Sequence, residues 1–286
     1  MPRSRRKRLG LMLVSTKKII LDAQNGGYAV GAFNTSDFEI TKAILAAAVK
    51  LSSPVIIQTS EKSIAYAGLE VLASMVREMA QKVNIPIALH LDHGSTLEIV
   101  GKALENGYTS VMYDGSGLTF FENISFTRRA VEIAKRYNAT CEGELGSIGK
   151  IGKDSDFTNP SDVSEFVKKT QVDMLAISIG SKHGDTGDEK LDINLLKKIK
   201  QITNIPLVLH GASGLPEEDI KQAIKNGICK INIDTDIRHT FSRAVREIPQ
   251  QMSTENDPRI IMTKVMVEIQ KLIEAKIKLF GSVEKA

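Results

Sequence analysis

The stretch Asn84-Ile85-Pro86, followed by Ile87-Ala88-Leu89-His90-Leu91, decides the fold. Proline cannot continue a helix and holds the residue before it in an extended conformation, so the triplet predicts a helix end and a strand start. The same Asn-Ile-Pro pattern occurs at Asn204-Ile205-Pro206, before the apolar run 207–209. Each following run is short and nearly continuous in aliphatic residues, which is typical of a strand covered on both faces.

Eight such apolar runs alternate with segments whose apolar residues recur at helical spacing. The runs cover residues 28–33, 55–57, 87–91, 110–113, 140–142, 174–179, 207–209 and 230–233. Eight alternating units predict an α/β fold, the (β/α)8 TIM barrel, and an amphipathic segment over 260–279 predicts an extra C-terminal helix. An open doubly wound sheet is the competing interpretation, but no GxGxxG phosphate loop follows any run.

Charge is concentrated at the start of the chain. The net charge is +4, and five basic residues lie among the first eight, so the remainder carries −1. We predict a disordered basic tail over residues 1–11, or a start codon placed before Met12, and a single barrel domain over 12–286. A targeting or nucleic-acid-binding arm is the alternative for the tail. The near-neutral body lacks the basic surface of nucleic-acid-binding proteins, so we expect no nucleic-acid partner.

The composition also indicates the cellular compartment of the protein. No run reaches the ~18 apolar residues of a transmembrane helix, and no apolar stretch typical of a secretory signal follows the basic start. The two cysteines, Cys141 and Cys229, form no CxxC pair. This usage fits a reducing compartment. We therefore expect a cytoplasmic protein without a membrane partner.

Three of the five histidines follow predicted strands, and each stands directly before a glycine: His93, His183 and His210. The carboxyl ends of barrel strands form the active face, so three imidazoles can converge on one ion there. Three protein ligands with an open fourth position form the catalytic zinc arrangement. Packed or hydrogen-bonded histidines are the alternative. Asp92, beside His93, would move a proton while its neighbour binds metal, or would instead orient an imidazole.

Small and polar residues surround the later strand ends. Glycines flank the second and third of these histidines, at Gly184, Gly211 and Gly214, with Ser213 between the last two. Late loops of a barrel are the usual phosphate site, and glycine lets backbone N–H groups approach an anion. The eighth strand then delivers Asn232, Asp234 and Thr235. The pattern favours an anionic, oxygen-rich ligand beside a metal, with tight turns as the alternative.

Together these motifs resemble the class II fructose- and tagatose-bisphosphate aldolases, from about Met12 to Phe280-Gly281-Ser282. The matching stretches are His90-Leu91-Asp92-His93-Gly94, His183-Gly184, His210-Gly211-Ala212-Ser213-Gly214, the run 230–236, Gly31-Ala32-Phe33-Asn34, Gln58-Thr59-Ser60 and Asp114-Gly115-Ser116. The resemblance implies a zinc-dependent aldehyde-lyase of carbohydrate metabolism and glycolysis. Its substrate would be a ketose 1,6-bisphosphate, of fructose or tagatose, cleaved reversibly to dihydroxyacetone phosphate and glyceraldehyde 3-phosphate.

The resemblance also implies roles. The zinc ligands would be His93, His183 and His210, with Glu144 as a weaker one. Asp92 would move the proton of the C4 hydroxyl, and Asn232 would hold the enediolate. Substrate would be bound by Asn34, Ser60, Gly184, Gly211, Ser213, Asp234, Thr235 and Arg259. A monovalent cation, Na+ or K+, would lie near the phosphate, and Arg259 would come from a neighbouring subunit of a homodimer or homotetramer.

One departure from the family motivates two other interpretations. The family's loop glutamate, an acid/base for the dihydroxyacetone carbon, aligns with Gly152, and Asp154 or Asp156 is the candidate replacement. The first alternative is a sibling zinc aldolase acting on another phosphorylated keto-sugar. The second is a non-catalytic regulatory subunit that retains the barrel.

Overall fold

Eight parallel strands close into a barrel in the computed structural model, which describes residues 13–150, 156–184 and 190–286, and only the backbone at 149, 150 and 183. The strands are β1 (Val30–Asn34), β2 (Val55–Ser60), β3 (Ile87–Gly94), β4 (Ser110–Tyr113), β5 (Thr140–Leu145), β7 (Met174–Ile177), β9 (Leu207–Leu209) and β10 (Ile228–Ile233). Two short strands, β6 (Gly149–Lys150) and β8 (Lys182–His183), pair outside the barrel. Because β1 pairs with β10, the sheet is closed, and the predicted TIM barrel is confirmed.

Helices surround the barrel. They are α1 (Thr16–Gly26), α2 (Phe38–Lys50), α3 (Glu61–Ala67), α4 (Leu69–Ala80), α5 (Leu97–Glu105), α6 (Phe120–Arg136), α7 (Pro160–Thr170), α8 (Ile193–Ile202), α9 (Glu217–Lys225), α10 (Thr235–Gln251) and α11 (Pro258–Phe280). The extra C-terminal helix is confirmed as α11, which packs against α2 and α10. None of the helices within the described ranges combines the length and apolar composition needed to cross a bilayer.

Short polar side chains set where several helices begin. Asp37 and Thr96 accept hydrogen bonds from the first-turn amides of α2 and α5. Thr119 and Glu122 form a reciprocal capping box at the start of α6. Each cap satisfies a backbone donor that the helix itself leaves unpaired, so the strand-to-helix turns at the barrel mouth are fixed locally.

The apolar core has two parts. One fills the space between the barrel and its helices, and the other lies inside the barrel near the amino ends of the strands. The inner cluster includes Ile56, Met112 and Met174, and Ile20 of α1 packs against it. Helix α1 precedes every run that the sequence pattern predicts, so that pattern missed it. It closes the amino end of the barrel. The predicted basic tail, 1–11, lies outside the described residues.

Candidate active site and metal centre

The backbone turns sharply where β3 ends. Neighbouring side chains of a strand point to opposite faces, so a regular strand with Asp92 directed into the barrel would place His93 outside. His93 instead has a φ of 51°, a left-handed conformation uncommon for a residue with a side chain. The pairing of β3 with β4 shifts register at the same point, between Leu91 and Gly94. As a result His93 Nε2 lies 4.0 Å from Asp92 Oδ1 at the barrel mouth.

Two imidazoles, those of His93 and His210, are each oriented by a carboxylate, which determines the ring nitrogen that faces the site. His93 Nδ1 lies 2.8 Å from Asp114 Oδ2, and His210 Nε2 lies 2.7 Å from Glu142 Oε1. Because an ionised carboxylate only accepts hydrogen bonds, these nitrogens carry the protons. The opposite nitrogens, His93 Nε2 and His210 Nδ1, then face each other 3.0 Å apart. This carboxylate–histidine arrangement is the one that orients metal-binding imidazoles.

The donor set fits a divalent transition metal. Two nitrogens bound to one tetrahedral zinc at 2.0–2.1 Å would be separated by about 3.3 Å, close to the 3.0 Å between His93 Nε2 and His210 Nδ1. Asp92 completes a group with these two histidines, and Asp114 and Glu144 form a second group around His93. In each group the candidate ligand atoms lie within 4.8 Å of one another.

Two buried acceptors strengthen this conclusion. Glu144 Oε2 and Asn232 Oδ1 have no hydrogen-bond partner in the described part of the chain. A buried oxygen without a donor is costly, and a bound cation would satisfy it. Glu144 Oε2 also lies 3.8 Å from His93 Nδ1.

Electrostatics at the site centre on His93. Burial opposes the charged imidazole, but Asp92, Asp114 and Glu144 outweigh it and raise the pKa of His93 to about 10. Burial raises the pKa of Glu144 to about 8. Burial also disfavours ionised Asp92 and Asp114, yet the neighbouring His93 holds the pKa of both carboxyls below its usual value. Because its raised pKa leaves Glu144 largely protonated at neutral pH, the negative charge beside the position that a metal would take comes from Asp92 and Asp114.

Asp92 lies between two asparagine amides. Asn34 Nδ2 donates to Asp92 Oδ2 at 2.9 Å, and Asn232 Nδ2 donates to Asp92 Oδ1 at 3.1 Å. Gln58 Nε2 orients the first of these amides by donating to Asn34 Oδ1 at 2.6 Å. Hydrogen bonds from neutral donors stabilise a carboxylate, so Asp92 is held ionised and in a fixed orientation.

Beneath the mouth, buried charged groups fill the barrel. Glu142 accepts from Lys230 Nζ at 2.8 Å with the oxygen that does not contact His210. All three side chains are fully buried. His90 Nδ1 lies 2.7 Å from Ser110 Oγ, and burial holds the pKa of His90 well below its usual value, so this imidazole is neutral. The Lys230–Glu142 pair supports His210 from below.

A cavity of about 430 Å³ opens above these groups. The predicted residues that line it are Asn34, Ser60, Asp92, His93, Gly184, Gly211, Ser213, Asn232, Asp234 and Thr235. Gly211 has a φ of 60°, and a Cβ there would lie 2.4 Å from the Lys182 carbonyl oxygen, so only glycine fits. The structure thus brings most of the predicted substrate-binding residues to one opening.

The other predicted site residues lie away from the cavity or outside the described residues. Arg259 lies in the first turn of α11, its side chain is 89% exposed and pairs with Asp257, and it is not among the residues that line the cavity of its own chain. The His183 side chain, Gly152 and Asp154 lie outside the described residues, although the His183 backbone belongs to β8. Asp156 is exposed, and its backbone bridges to Ser147.

Sequence reasoning missed several polar residues of the site. The sequence analysis named Asp114 only as part of a motif shared with the aldolases. Asp114 directly follows β4, and a polar residue directly after a predicted strand is the signal that identified Asp92. Glu142 and Lys230 stand inside apolar runs, where a charged residue predicts a buried partner of opposite charge. Lys62 and Arg238 line the cavity from α3 and α10. Neither residue directly follows an apolar run, so the sequence pattern did not identify them as site residues.

The sequence pattern that defines the fructose-bisphosphate aldolase class-II family matches residues 14–285. The chain belongs to this family. Relatives named fructose-bisphosphate aldolase from Helicobacter pylori (strain ATCC 700392 / 26695) and Thermus caldophilus are 38% and 40% identical to it. Each alignment covers 96% of this chain and 100% of the relative.

Solved structures of aldolases are also similar to this chain. The YdjI aldolase from Escherichia coli K12 is 34% identical and superposes with a TM-score of 0.87, over 96% of this chain and 99% of that chain. Fructose-bisphosphate aldolase from Campylobacter jejuni is 25% identical, with a TM-score of 0.83, over 96% and 97%. The predicted family is confirmed. As a class II aldolase the protein is a lyase of a metal-dependent family that acts on phosphosugars.

Proposed function

We propose that this class II aldolase reversibly cleaves a ketose 1,6-bisphosphate, of fructose or tagatose, to dihydroxyacetone phosphate and glyceraldehyde 3-phosphate. One observation carries the proposal. His93 Nε2 and His210 Nδ1 face each other at 3.0 Å beside an ionised Asp92, at the mouth of a cavity. Metal-dependent cleavage between C3 and C4 of a ketose requires a metal site and, next to it, a carboxylate that acts as a base.

The metal in this proposal is zinc. His93, His183 and His210 would hold it, with Glu144 near enough to His93 to bind at a second position. Bound zinc would polarise the ketone as a Lewis acid and stabilise the charge that develops as the C3–C4 bond breaks. His₃ ligation also suits cobalt or iron, so metal analysis of purified protein is part of the test.

Asp92 takes the proton of the C4 hydroxyl in this scheme. As that proton leaves, the C4–O bond becomes the aldehyde carbonyl, and the electrons of the C3–C4 bond pass to the dihydroxyacetone fragment. Asn232 donates to Asp92 through Nδ2 and lies over the same opening, where it would hold the enediolate. The amides of Asn34 and Asn232 keep Asp92 in place between turnovers.

The phosphate of dihydroxyacetone phosphate would lie among Gly184, Gly211, Ser213, Asp234 and Thr235. These residues line the cavity on the side of β8, β9 and β10, and Gly211 allows close approach of the backbone. A monovalent cation, Na+ or K+, would offset the charge of Asp234 beside that phosphate.

The direct test measures triose phosphate release by zinc-loaded protein from fructose 1,6-bisphosphate and tagatose 1,6-bisphosphate, with and without EDTA. We expect release that EDTA abolishes and added zinc restores, and the ratio of the two rates identifies the substrate. Release that EDTA does not affect would refute the metal assignment. No release from either compound, with zinc bound, would contradict the proposed substrates.

A second candidate is an aldolase for another phosphorylated keto-sugar. Gly152 at the family's glutamate position favours it, because the proton that returns to the dihydroxyacetone carbon would need a different donor. A panel of ketose phosphates of differing chain length and stereochemistry distinguishes the two. A clear preference for fructose 1,6-bisphosphate would eliminate the second candidate.

The assembly would be a homodimer or homotetramer in the cytoplasm. Arg259 is exposed and lies away from the cavity of its own chain, so it could contact the sugar only from a neighbouring subunit. Light scattering on the eluting protein measures the assembly. A catalytically active monomer would contradict a role for Arg259 in trans.

A further inference from the structure

Strands β5 and β7 are neighbours in the barrel wall and separate at their carboxyl ends. The last paired residues are Leu145 and Ile177. Further along, the same two segments pair again as β6 and β8, where the backbone of Lys150 lies opposite that of His183. The way in which the strands separate and rejoin therefore places the backbone of the third proposed zinc ligand.

A buried threonine fills the gap where the strands separate. Thr158 is 1% exposed and lies two residues before the start of α7. Its hydroxyl donates to the Leu145 carbonyl oxygen at 2.5 Å and accepts from the Ser178 amide at 2.8 Å. Its own amide donates to the Ser178 carbonyl oxygen at 2.9 Å. One hydroxyl thus connects the last carbonyl of β5 to the first amide beyond β7, in place of a direct ladder hydrogen bond.

A second hydroxyl links the same two segments. Ser178 is fully buried, and its Oγ donates to the Ser147 carbonyl oxygen at 3.1 Å. The Ser147 amide in turn donates to the Asp156 carbonyl oxygen at 2.8 Å, two residues before Thr158. We call this set of hydrogen bonds, made by Ser147, Thr158 and Ser178, the strand junction. It fixes the separation between the exits of β5 and β7.

Beyond the junction, β8 lies tightly against the end of β9. A Cβ on Gly211 would lie only 2.4 Å from the carbonyl oxygen of Lys182, the residue before His183. Since Gly211 follows His210, the backbones that carry two proposed zinc ligands are in close contact. The direction in which the chain leaves β7 therefore determines how near His183 comes to His210.

We propose that Thr158 and Ser178 are positioning residues for the zinc site. Their hydroxyls would hold the exit of β7 at the distance from β5 that brings His183 to the metal. The proposal rests on the proposed function, because it takes His183 to be a zinc ligand. Neither residue is among the described residues that line the active-site cavity, so both would act through the backbone.

The test compares two buried threonines by competitive zinc titration against a chromophoric chelator. The variants are Thr158→Val, Thr158→Ser and the control Thr170→Val. Thr170 is fully buried at the other end of α7, where its hydroxyl donates to the Phe166 carbonyl oxygen at 2.7 Å. Thr158→Val leaves a buried carbonyl and a buried amide unpaired, so the strand exits should shift. We expect zinc affinity about tenfold below that of the parent in this variant alone, as for other residues that orient metal ligands.

Cobalt spectroscopy distinguishes positioning from a general loss of stability. Co2+ in place of zinc absorbs visible light, and the intensity of this absorption reports the coordination geometry. Thr158→Val should change the spectrum, Thr158→Ser should restore that of the parent, and Thr170→Val should leave it unaltered. Parent zinc affinity and a parent spectrum in Thr158→Val would overturn the proposal. An equal loss of zinc affinity in Thr170→Val would overturn it as well.

Ser178→Ala decides the question where Thr158→Val does not fold. It removes only the hydrogen bond to the Ser147 carbonyl, and we expect zinc binding to weaken by about threefold. Parent zinc affinity in Ser178→Ala would then contradict the positioning role.

Triose phosphate release by the same proteins keeps this result apart from the proposed function. A parent that binds zinc and cleaves substrate, with variants that bind zinc equally well, would refute the positioning role and leave the aldolase intact. The expected losses of zinc affinity, in a parent that cleaves neither bisphosphate, would support the positioning role and contradict the proposed substrates. A parent that binds no zinc would refute the proposed metal and, with it, the positioning role.

Discussion

The two halves of the barrel interior differ in what fills them. Near the amino ends of the strands the interior is apolar, with Ile56, Met112 and Met174 closed off by α1. Near the carboxyl ends it is charged, with Glu142 and Lys230 fully buried below the mouth. The same eight strands supply both, because side chains two residues apart on a strand lie in successive layers. One half stabilises the barrel, and the other half orients the proposed metal ligands and the proposed base.

Replacing a proposed metal ligand should have the largest effect, and the effect should fall on the function of the charged half and not on the stability of the apolar half. His93→Asn tolerates the left-handed backbone but provides a poor zinc ligand, so we expect zinc content and aldol cleavage to fall to background. Thermal unfolding of the metal-free protein should stay close to that of the metal-free parent. His239→Asn, on the exposed face of α10, is the control. Full activity without bound metal would contradict the ligand assignment.

Replacing the proposed base should reduce catalysis alone. Asp92→Asn retains the shape of the side chain beside Asn34 and Asn232 but cannot accept a proton, so we expect kcat to fall by ~10²–10⁴-fold. Zinc content, measured by elemental analysis, should be unchanged. If this variant cleaves substrate normally, Asp92 only orients a neighbouring imidazole.

Breaking the buried ion pair should affect both halves. Lys230→Met leaves the Glu142 carboxylate buried without its cation, which should lower the free energy of unfolding by about 3–5 kcal/mol. Since Glu142 also orients His210, zinc affinity should fall as well. Denaturant unfolding and a competitive zinc titration measure the two effects.

The double variant Glu142→Gln/Lys230→Met sharpens this test. It removes both charges, so most of the lost stability should return. Lys198→Met, on the surface, should change stability by no more than about 0.5 kcal/mol. A double variant as unstable as Lys230→Met would mean that packing, and not the unpaired charge, determines the loss.

Truncation in the apolar half should affect stability alone. Met174→Ala leaves a cavity inside the barrel and should cost about 2–5 kcal/mol. At a temperature where the variant is fully folded, kcat and zinc content should match those of the parent. A large fall in kcat would show that the two halves are mechanically linked.

Sequence alone predicted the barrel strands and the outer rim of the site better than the helix α1 or the buried charged layer below the rim. The barrel follows from the alternation of apolar runs and helices, and Asp92, His93 and His210 were predicted because polar residues directly follow such runs. Residues inside a run give a weaker signal. Glu142 shares its run with Cys141, and only the closed barrel brings it opposite Lys230, 88 residues away.

Two further features depend on three-dimensional direction. In a regular strand, Asp92 and His93 would point to opposite faces, but the left-handed backbone at His93 brings both side chains to the barrel mouth. The residue types Asp92-His93 do not predict this turn. Lys62 lies on a helix that the periodicity did not identify, and its proximity to Arg238 follows from closure of β1 onto β10. Such contacts arise from tertiary structure and leave no local pattern.

Closure of the amino end by α1 has a consequence for exchange with water. Among the described residues, Glu142 and Lys230 are fully buried, and the apolar cluster that α1 joins fills the barrel interior toward its amino end. A substrate seated in the mouth would complete the enclosure. Exchange of water with the charged interior would then be slowest while the mouth is occupied.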